Sequence, residues 1–509
     1  MIQSASIDGT ETATVPPGSS ARRAASSAQS TAAEPRRLAI NFAFLSGGEF
    51  ASKLLTFATF SYLARTLGPA NYGFLEFTLA VMIFFTAPAD LGLGIYGARE
   101  VARHPEQAPR LLREITGLRM ALTLCSMVAL AVYIVFLPRT NDLKALLALY
   151  GLSLLGTPFL LQWFFQGFDQ MHWVGAASVV RQAIFTGLVF LTYRSGMPIA
   201  RLGFIECASV GGLAVFCALV VRRGMGFQWP WPDMHIGRLL GHLRRSAPIG
   251  LSELAWDFMW YFCTVLLGYY YPNKSLGWFG ASHRALMALH TFVYLYFFNL
   301  LPSISRCVAL PRKNLLDLMD GSVRFAAWIG LYATVLLTFA APELLELVYG
   351  RNFRPASGSF VVLIWMLPVA MLSGHYRYIL VAYNHQRWLM IYTAISAVAA
   401  VACGFALEPF YAGPGAAYAL LIANCLNFAL VYFGVRRLVT GIPLRQQITA
   451  PLISMVIATG VSLALYRWNV WLAVIAGSAV YLAGLIISDG ARLMAFVRTM
   501  AGDRAARAA

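Results

Sequence analysis

Charge is scarce in this chain. Of its 509 residues only 12% are Asp, Glu, Lys or Arg, while 59% are hydrophobic; globular domains carry about twice that share of charge. A soluble fold of this length cannot hide so much apolar surface, and the mean hydropathy of +0.64 points the same way. The composition therefore predicts an integral membrane protein. Acids are scarcer than bases, 22 against 39. The resulting +17 does not indicate nucleic acid, because the bases are spread over short segments between apolar runs. The seven cysteines stand singly, without CxxC spacing and without histidines at metal-ligand spacing. That excludes a disulfide framework and a zinc site, and leaves them as small apolar fillers. Large hydrophilic loops are missing too, so no outer segment can fold as a catalytic domain, and no enzymatic activity is expected. Residues 1–35 lack the apolar core of a signal peptide and read as a disordered cytoplasmic tail.

What the chain has is apolar runs of about 20 residues, the length that crosses a bilayer. They recur fourteen times, at about 38–64, 72–97, 117–137, 143–168, 173–194, 200–221, 246–271, 277–301, 323–348, 357–381, 388–407, 412–435, 448–467 and 469–488. The expected fold class is all-α integral membrane with about 14 transmembrane helices. With the N-terminus inside, inner segments hold 26 of the Lys and Arg and outer loops hold 9. This asymmetry predicts cytoplasmic N- and C-termini. Arg119 is counted with the inner segment 98–119. The segment 222–245 contains Trp229-Pro-Trp231-Pro, then Ile236, Leu239, Leu240 and Leu243 at helical spacing, with Arg238, Arg244 and Arg245 opposite. It reads as an interfacial amphipathic helix.

The chain also repeats itself. At an offset of 204, Glu49 meets Glu253, Gly73 meets Gly277 and Pro138 meets Pro342; after extra residues around Arg351–Pro355 the offset becomes 215, where Asp169 meets Asn384, Trp173 meets Trp388 and Arg222 meets Arg437. Each copy would hold six helices, so both copies enter the membrane from the same side, as in transporters built from parallel repeats. The expected organisation is a tail 1–35, a first lobe 36–221, a linker helix 222–245, a second lobe 246–440, two extra helices in 441–490 and a tail 491–509.

Leu63-Ala-Arg-Thr-Leu-Gly-Pro-Ala-Asn-Tyr-Gly73, Ala89-Asp-Leu-Gly-Leu-Gly94 and Ala98-Arg-Glu100 resemble the start of polysaccharide-biosynthesis membrane proteins. Leu276-Gly-Trp-Phe-Gly-Ala-Ser-His-Arg284 and Gly413-Pro-Gly-Ala-Ala-Tyr418 resemble the second-lobe patterns of the same family. These proteins are lipid-linked oligosaccharide flippases of the Wzx type, in the superfamily that includes MATE exporters and the lipid II flippase. The resemblance covers roughly residues 38–440. It implies a bacterial inner-membrane transporter that moves an undecaprenyl-pyrophosphate-linked oligosaccharide to the outer leaflet for surface polysaccharide or O-antigen synthesis. Membrane lipid, a polysaccharide polymerase and glycosyltransferases are the partners it implies. No cofactor is expected beyond coupling to H+ or Na+.

A flippase must receive phosphates at depths where hydrocarbon would reject them, which calls for buried Arg and Lys. Lys53, Arg181, Arg284 and Arg377 fall inside spans and are the substrate-site candidates. Lys53 has a simpler use, an i,i+4 pair that neutralises Glu49; Arg377 could snorkel to the interface. Glu253 and Asp257 share a helix face, so with Glu49 and Asp90 they are the ion-coupling candidates. A structural alternative pairs Glu253 or Asp257 with Arg284, and hydration or a helix-end contact would suffice for Asp90. Glu206 is a further intramembrane acid. Gly92-Leu-Gly94-Ile-Tyr-Gly97 matches a dinucleotide fingerprint without the required strand, so close packing or a bend is the better use of its glycines. His283 and His290 read as core histidines, and Asn273-Lys-Ser275 as a chance glycosylation sequon. Two competing functions stay open: a cation-coupled small-molecule exporter of MATE type, and a membrane glycosyltransferase or polymerase.

Overall fold

The computed structural model describes residues 19–227, 232–271 and 274–508, and among these the chain is helical with no strand. The first half contains α1 (Ser19–Asp90), α2 (Leu93–Arg103), α3 (Ala108–Phe136), α4 (Asn141–Leu152), α5 (Gln162–Gly167), α6 (Met171–Thr192) and α7 (Arg201–Leu219). The second contains α8 (Ile236–Tyr270), α9 (Lys274–Cys307), α10 (Arg312–Tyr349), α11 (Ser357–Leu363), α12 (Met366–Ala382) and α13 (Gln386–Leu438). α14 (Arg445–Tyr466) and α15 (Val470–Ala508) complete the chain. Eleven helical stretches among the described residues are long and apolar enough to cross a membrane, so this is a multi-pass membrane protein. That count is below the expected fourteen. Two of the stretches, Ser46–Arg103 and Gln386–Leu438, have 58 and 53 residues, each more than two crossings of about 20 residues. The 35-residue α8 is not among the eleven.

Both long stretches are broken where the sequence forbids regular helix. Gly68 adopts φ 71, ψ 169 inside α1, and Pro69 follows it. Glycine takes a left-handed φ without a Cβ clash, and proline has no amide to continue the ladder. α13 breaks at Ala412 (φ 50, ψ −127), just before Gly413 and Pro414. The first break is also a docking point: a Cβ on Gly277 would lie 1.9 Å from the Pro69 carbonyl oxygen. Only glycine lets the start of α9 rest on that turn, which is why the two glycine-bearing motifs of the halves lie against each other.

The sequence repeat has a backbone counterpart. Asp169 and Asn384, matched at the 215 offset, both adopt positive φ, 56 and 60. The next amides reach five residues back in both copies, Gln170 N–H to Phe165 O at 2.9 Å and His385 N–H to Leu380 O at 2.7 Å. Met225 N–H to Val220 O (3.0 Å) and Thr440 N–H to Val435 O (2.9 Å) show the same i to i−5 ending at the same offset. The extra residues of the second copy form a 3-10 turn, Arg351–Ala356. Arg354 ties this turn to Glu343 and Glu346, and the Ser282 hydroxyl donates to the Ala356 carbonyl at 2.7 Å.

Three expectations are revised. The tail reading of 1–35 lies outside the described residues as far as 18, and from Ser19 the chain is already part of α1, in keeping with its alanine content. The segment 222–245 does not form a separate linker helix: α8 starts at Ile236 and continues without interruption to Tyr270. Of its basic face Arg238 meets protein, while Arg244 and Arg245 are exposed. Arg238 Nη1 and His242 Nε2 bond Glu114 of α3 at 2.7 and 2.9 Å, and the Tyr96 hydroxyl of α2 meets His242 Nδ1 at 3.0 Å. Leu239 is buried, whereas Ile236 and Leu240 remain exposed. Just before α8, the His235 ring bonds Asp233 and holds that carboxyl below the usual carboxylate range. Trp229, Pro230 and Trp231 lie outside the described residues, as does Asn273 of the sequon.

The last two helices pack on each other and on α10. Asp489 of α15, only 2% exposed, accepts from Arg324 Nη1 at 2.9 Å and from the Trp328 indole at 3.0 Å. At the end of the bundle where α1 breaks, arginines of the first half cap carbonyls of the second. Arg65 Nε reaches Val348 O at 3.1 Å; Arg139 Nη2 reaches Gly268 O and Tyr269 O at 2.9 and 2.8 Å. Such contacts satisfy the orphan carbonyls of helix C-termini.

Candidate functional site

A cavity of about 1270 Å³ opens between the first half and helices α8 and α9. Helical periodicity explains its wall. On α6, Val174, Ser178, Arg181, Gln182 and Phe185 share the cavity face; on α9, Arg284, Met287, Ala288 and Thr291 do the same. Among the described residues the wall carries four cations, Lys53, Arg119, Arg181 and Arg284, and four acids, Glu49, Glu76, Asp90 and Glu206.

Each arginine already holds a carboxylate. Arg284 of α9 grips Glu76 of α1 with both arms of its fork, Nε to Oε1 at 2.7 Å and Nη2 to Oε2 at 2.9 Å. Its guanidinium carbon also sits 3.5 Å from the centroid of the Phe60 ring, a favourable place for a desolvated cation. Arg181 of α6 pairs with Glu206 of α7. Arg119 of α3 pairs with Asp90 and donates to the Leu160 carbonyl at 3.0 Å. Asp90 also receives the Gly94 amide at 3.2 Å, so the helix-end contact expected of it is present alongside the arginine.

The structure brings together five of the sequence candidates: Glu49, Lys53, Asp90, Arg181 and Arg284 all line the cavity. It also corrects several pairings. Lys53 makes no ion pair with Glu49 among the described residues; Glu49 instead accepts from the Ser178 hydroxyl of α6 at 2.7 Å, and the Lys53 side chain is exposed. An i,i+4 pair is worth only a few tenths of a kcal/mol, so a hydroxyl on a packed neighbour displaces it easily. Arg284 does not pair with Glu253 or Asp257, because Glu76 takes both arms of its fork. Arg377, Glu253 and Asp257 are not on the cavity wall. Arg377 of α12 lies over the Trp256 ring of α8, 4.4 Å from its centroid. Glu253 and Asp257, on α8, have no ion pair among the described residues, with Asp90 within electrostatic reach of Glu253.

Two cavity residues escape the sequence reading. Glu76 is an acid inside the second expected span, and that position is the signal that could have found it. Arg119, assigned to a cytoplasmic segment, falls at the edge of the third span and turns inward. The histidines pack on aromatic rings, His283 stacking on Phe279 and His290 edge-on to Trp260 at 5.3 Å, but both also line the cavity, which the core reading did not foresee. Gly92 explains its glycine run. It has φ 73, and a Cβ there would lie 2.6 Å from the Gly250 amide of α8, so the bend between α1 and α2 packs against the second half.

Comparison with known proteins gives this geometry a context. A family model described as polysaccharide biosynthesis protein matches residues 38–308. A protein named as a candidate O-antigen transporter in Escherichia coli (strain K12) is 24% identical over 421 residues, spanning 79% of this chain and 96% of its own length. One of the same description from Shigella dysenteriae is 18% identical over 380 residues, covering 74% of this chain and 94% of the other. Among solved structures, the lipid II flippase MurJ in an inward closed conformation superposes with a TM-score of 0.69 at 15% identity, covering 88% of this chain and 99% of MurJ. An inward-facing multidrug resistance MATE transporter gives 0.57 at 14% identity, with 78% and 95% covered. The fold is that of these transporters. With its matched segment exceeding half of its length, the chain belongs to the polysaccharide biosynthesis protein family.

Proposed function

We propose that this protein is a flippase that carries an undecaprenyl-pyrophosphate-linked oligosaccharide from the cytoplasmic to the outer leaflet of the bacterial inner membrane. The observation that carries this reading is the charged cavity: four cations on the wall of a wide cavity within a membrane protein of this family. Charged groups at membrane depth are costly and mark substrate paths. Arg181, Arg284 and Lys53 would receive the pyrophosphate, and the cavity volume would admit sugars. Residues 36–221 and 246–440 would rock against each other as two lobes, with both termini cytoplasmic, in a relay that begins with glycosyltransferases and ends with a polymerase. Glu253 and Asp257, two carboxylates one turn apart on α8, are the proposed H+ or Na+ coupling pair.

Replacing Arg181 or Arg284 by Ala should abolish rescue of a flippase-deficient strain while leaving the protein in the membrane. Normal surface glycan with both variants would remove the pyrophosphate role. The competing reading, a cation-coupled exporter of small amphipathic compounds, has in its favour the equal number of acids on the cavity wall. Efflux of a cationic dye that depends on Glu49 or Glu206 would support it instead.

A further inference from the structure

The cavity is formally neutral on its own wall, since Lys53, Arg119, Arg181 and Arg284 face Glu49, Glu76, Asp90 and Glu206. A diphosphate entering it meets no arginine with an empty fork. One pair is built unlike the others. Arg284–Glu76 is bidentate, and it joins α9 of the second half to α1 of the first; Arg181–Glu206 and Arg119–Asp90 each stay within the first half. A carboxylate gripped through both oxygens has the planar two-oxygen geometry that a phosphate also offers to guanidinium. Behind the pair lies a buried hydroxyl. Tyr72, one helical turn before Glu76 and fully buried, makes no hydrogen bond of good geometry through its Oη, although Glu76 is within hydrogen-bonding reach of it and Arg284 and Tyr349 are its other electrostatic neighbours. A buried hydroxyl without a well-formed bond is costly, so the Oη beside Glu76 marks a place that a displaced carboxylate can use.

We propose that Glu76 is a built-in stand-in for the substrate's diphosphate: the diphosphate takes Arg284 from Glu76, Glu76 turns to the Tyr72 hydroxyl, and the tie between the two halves is released. This rests on the reading of the cavity as a diphosphate-lipid path. It assigns Glu76 the role of a competitor and a latch, in contrast to a residue that merely holds Arg284 in place. The two roles predict opposite signs. A positioning carboxylate helps binding and its loss weakens it; a competing carboxylate hinders binding and its loss strengthens it.

The test is binding of undecaprenyl pyrophosphate to the full chain in lipid nanodiscs, compared with transport of the lipid-linked sugar in vesicles. Glu76→Gln is expected to bind at least about fivefold tighter than wild type, since a charge-assisted pair no longer has to be broken. Its turnover should fall, because the latch no longer re-forms. Tyr72→Phe should bind about fivefold weaker, having lost the receiving hydroxyl. Should Glu76→Gln not give monodisperse protein, Glu76→Asp, whose carboxylate is withdrawn by one methylene from the fork, is expected to bind tighter as well. Unchanged or weaker binding by the Glu76 variants, with binding still lost in Arg284→Ala, would overturn the stand-in role alone. Equal binding by wild type and Arg284→Ala would overturn both this role and the diphosphate reading of the cavity.

Discussion

Asp489→Ala tests how the last two helices are held. In the folded chain Asp489 accepts hydrogen bonds from Arg324 and Trp328 of α10, and it and Arg324 are 2% and 7% exposed by side chain. Truncating the carboxylate leaves a guanidinium with one remaining acid, the half-exposed Asp320, and an indole N–H with no acceptor. Removing one partner of a buried pair costs about 3–5 kcal/mol, mostly the burden of the charge left behind. At about 1.4 kcal/mol per tenfold, local opening of α14 and α15 from α10 should become roughly a hundred- to a few-thousand-fold more frequent. Hydrogen exchange of the protein in nanodiscs reads this directly, because amides of α15 report local opening independently of the rest of the bundle. The double variant Asp489→Ala, Arg324→Met removes the stranded charge and should recover much of the protection. Exchange of α15 within tenfold of wild type in Asp489→Ala would refute the reasoning.

Three further outcomes follow from the packing and the cavity. Gly277→Ala places a methyl against the Pro69 carbonyl and should cost about 1–3 kcal/mol, read as a lower melting temperature in detergent. Gly47→Ala, which meets nothing within 4 Å, should not lower it. Glu114→Ala removes the acid shared by Arg238 and His242 at the start of α8, leaving Arg238 with Asp233 and His242 with Tyr96; trypsin should then cut at Arg238, Arg244 or Arg245 several-fold faster, and an unchanged digest would contradict the docking. Lys53→Met removes an exposed cavity cation without an acid partner among the described residues. It should raise the KM for lipid-linked substrate about tenfold or more and leave the melting temperature unchanged.

Sequence reasoning reached the features that depend on neighbours along the chain. Apolar runs marked the spans, and Asp169 with Asn384 marked a repeat whose backbone turns coincide. It placed Glu49, Lys53, Arg181 and Arg284 within spans, and all four reach the cavity. It did not reach the pairings. Glu76 and Arg284 lie 208 positions apart, and Asp489 and Arg324 lie 165 apart. Such contacts depend on which helices pack together, and helical periodicity carries no information about that. The Glu49–Lys53 pairing failed for the same reason, since Ser178 arrives from another helix. The continuous α8 was obscured by Arg244 and Arg245, whose charges look like a boundary although the helix runs through them.

Whether this chain moves a lipid-linked oligosaccharide across the bilayer is read from depletion of the protein in its own host. Undecaprenyl-pyrophosphate-linked oligosaccharide should then accumulate, stay inaccessible to enzymes added from the outer face, and reach the surface again when the wild-type chain is restored. Depletion with no such accumulation and with normal surface polysaccharide would contradict it.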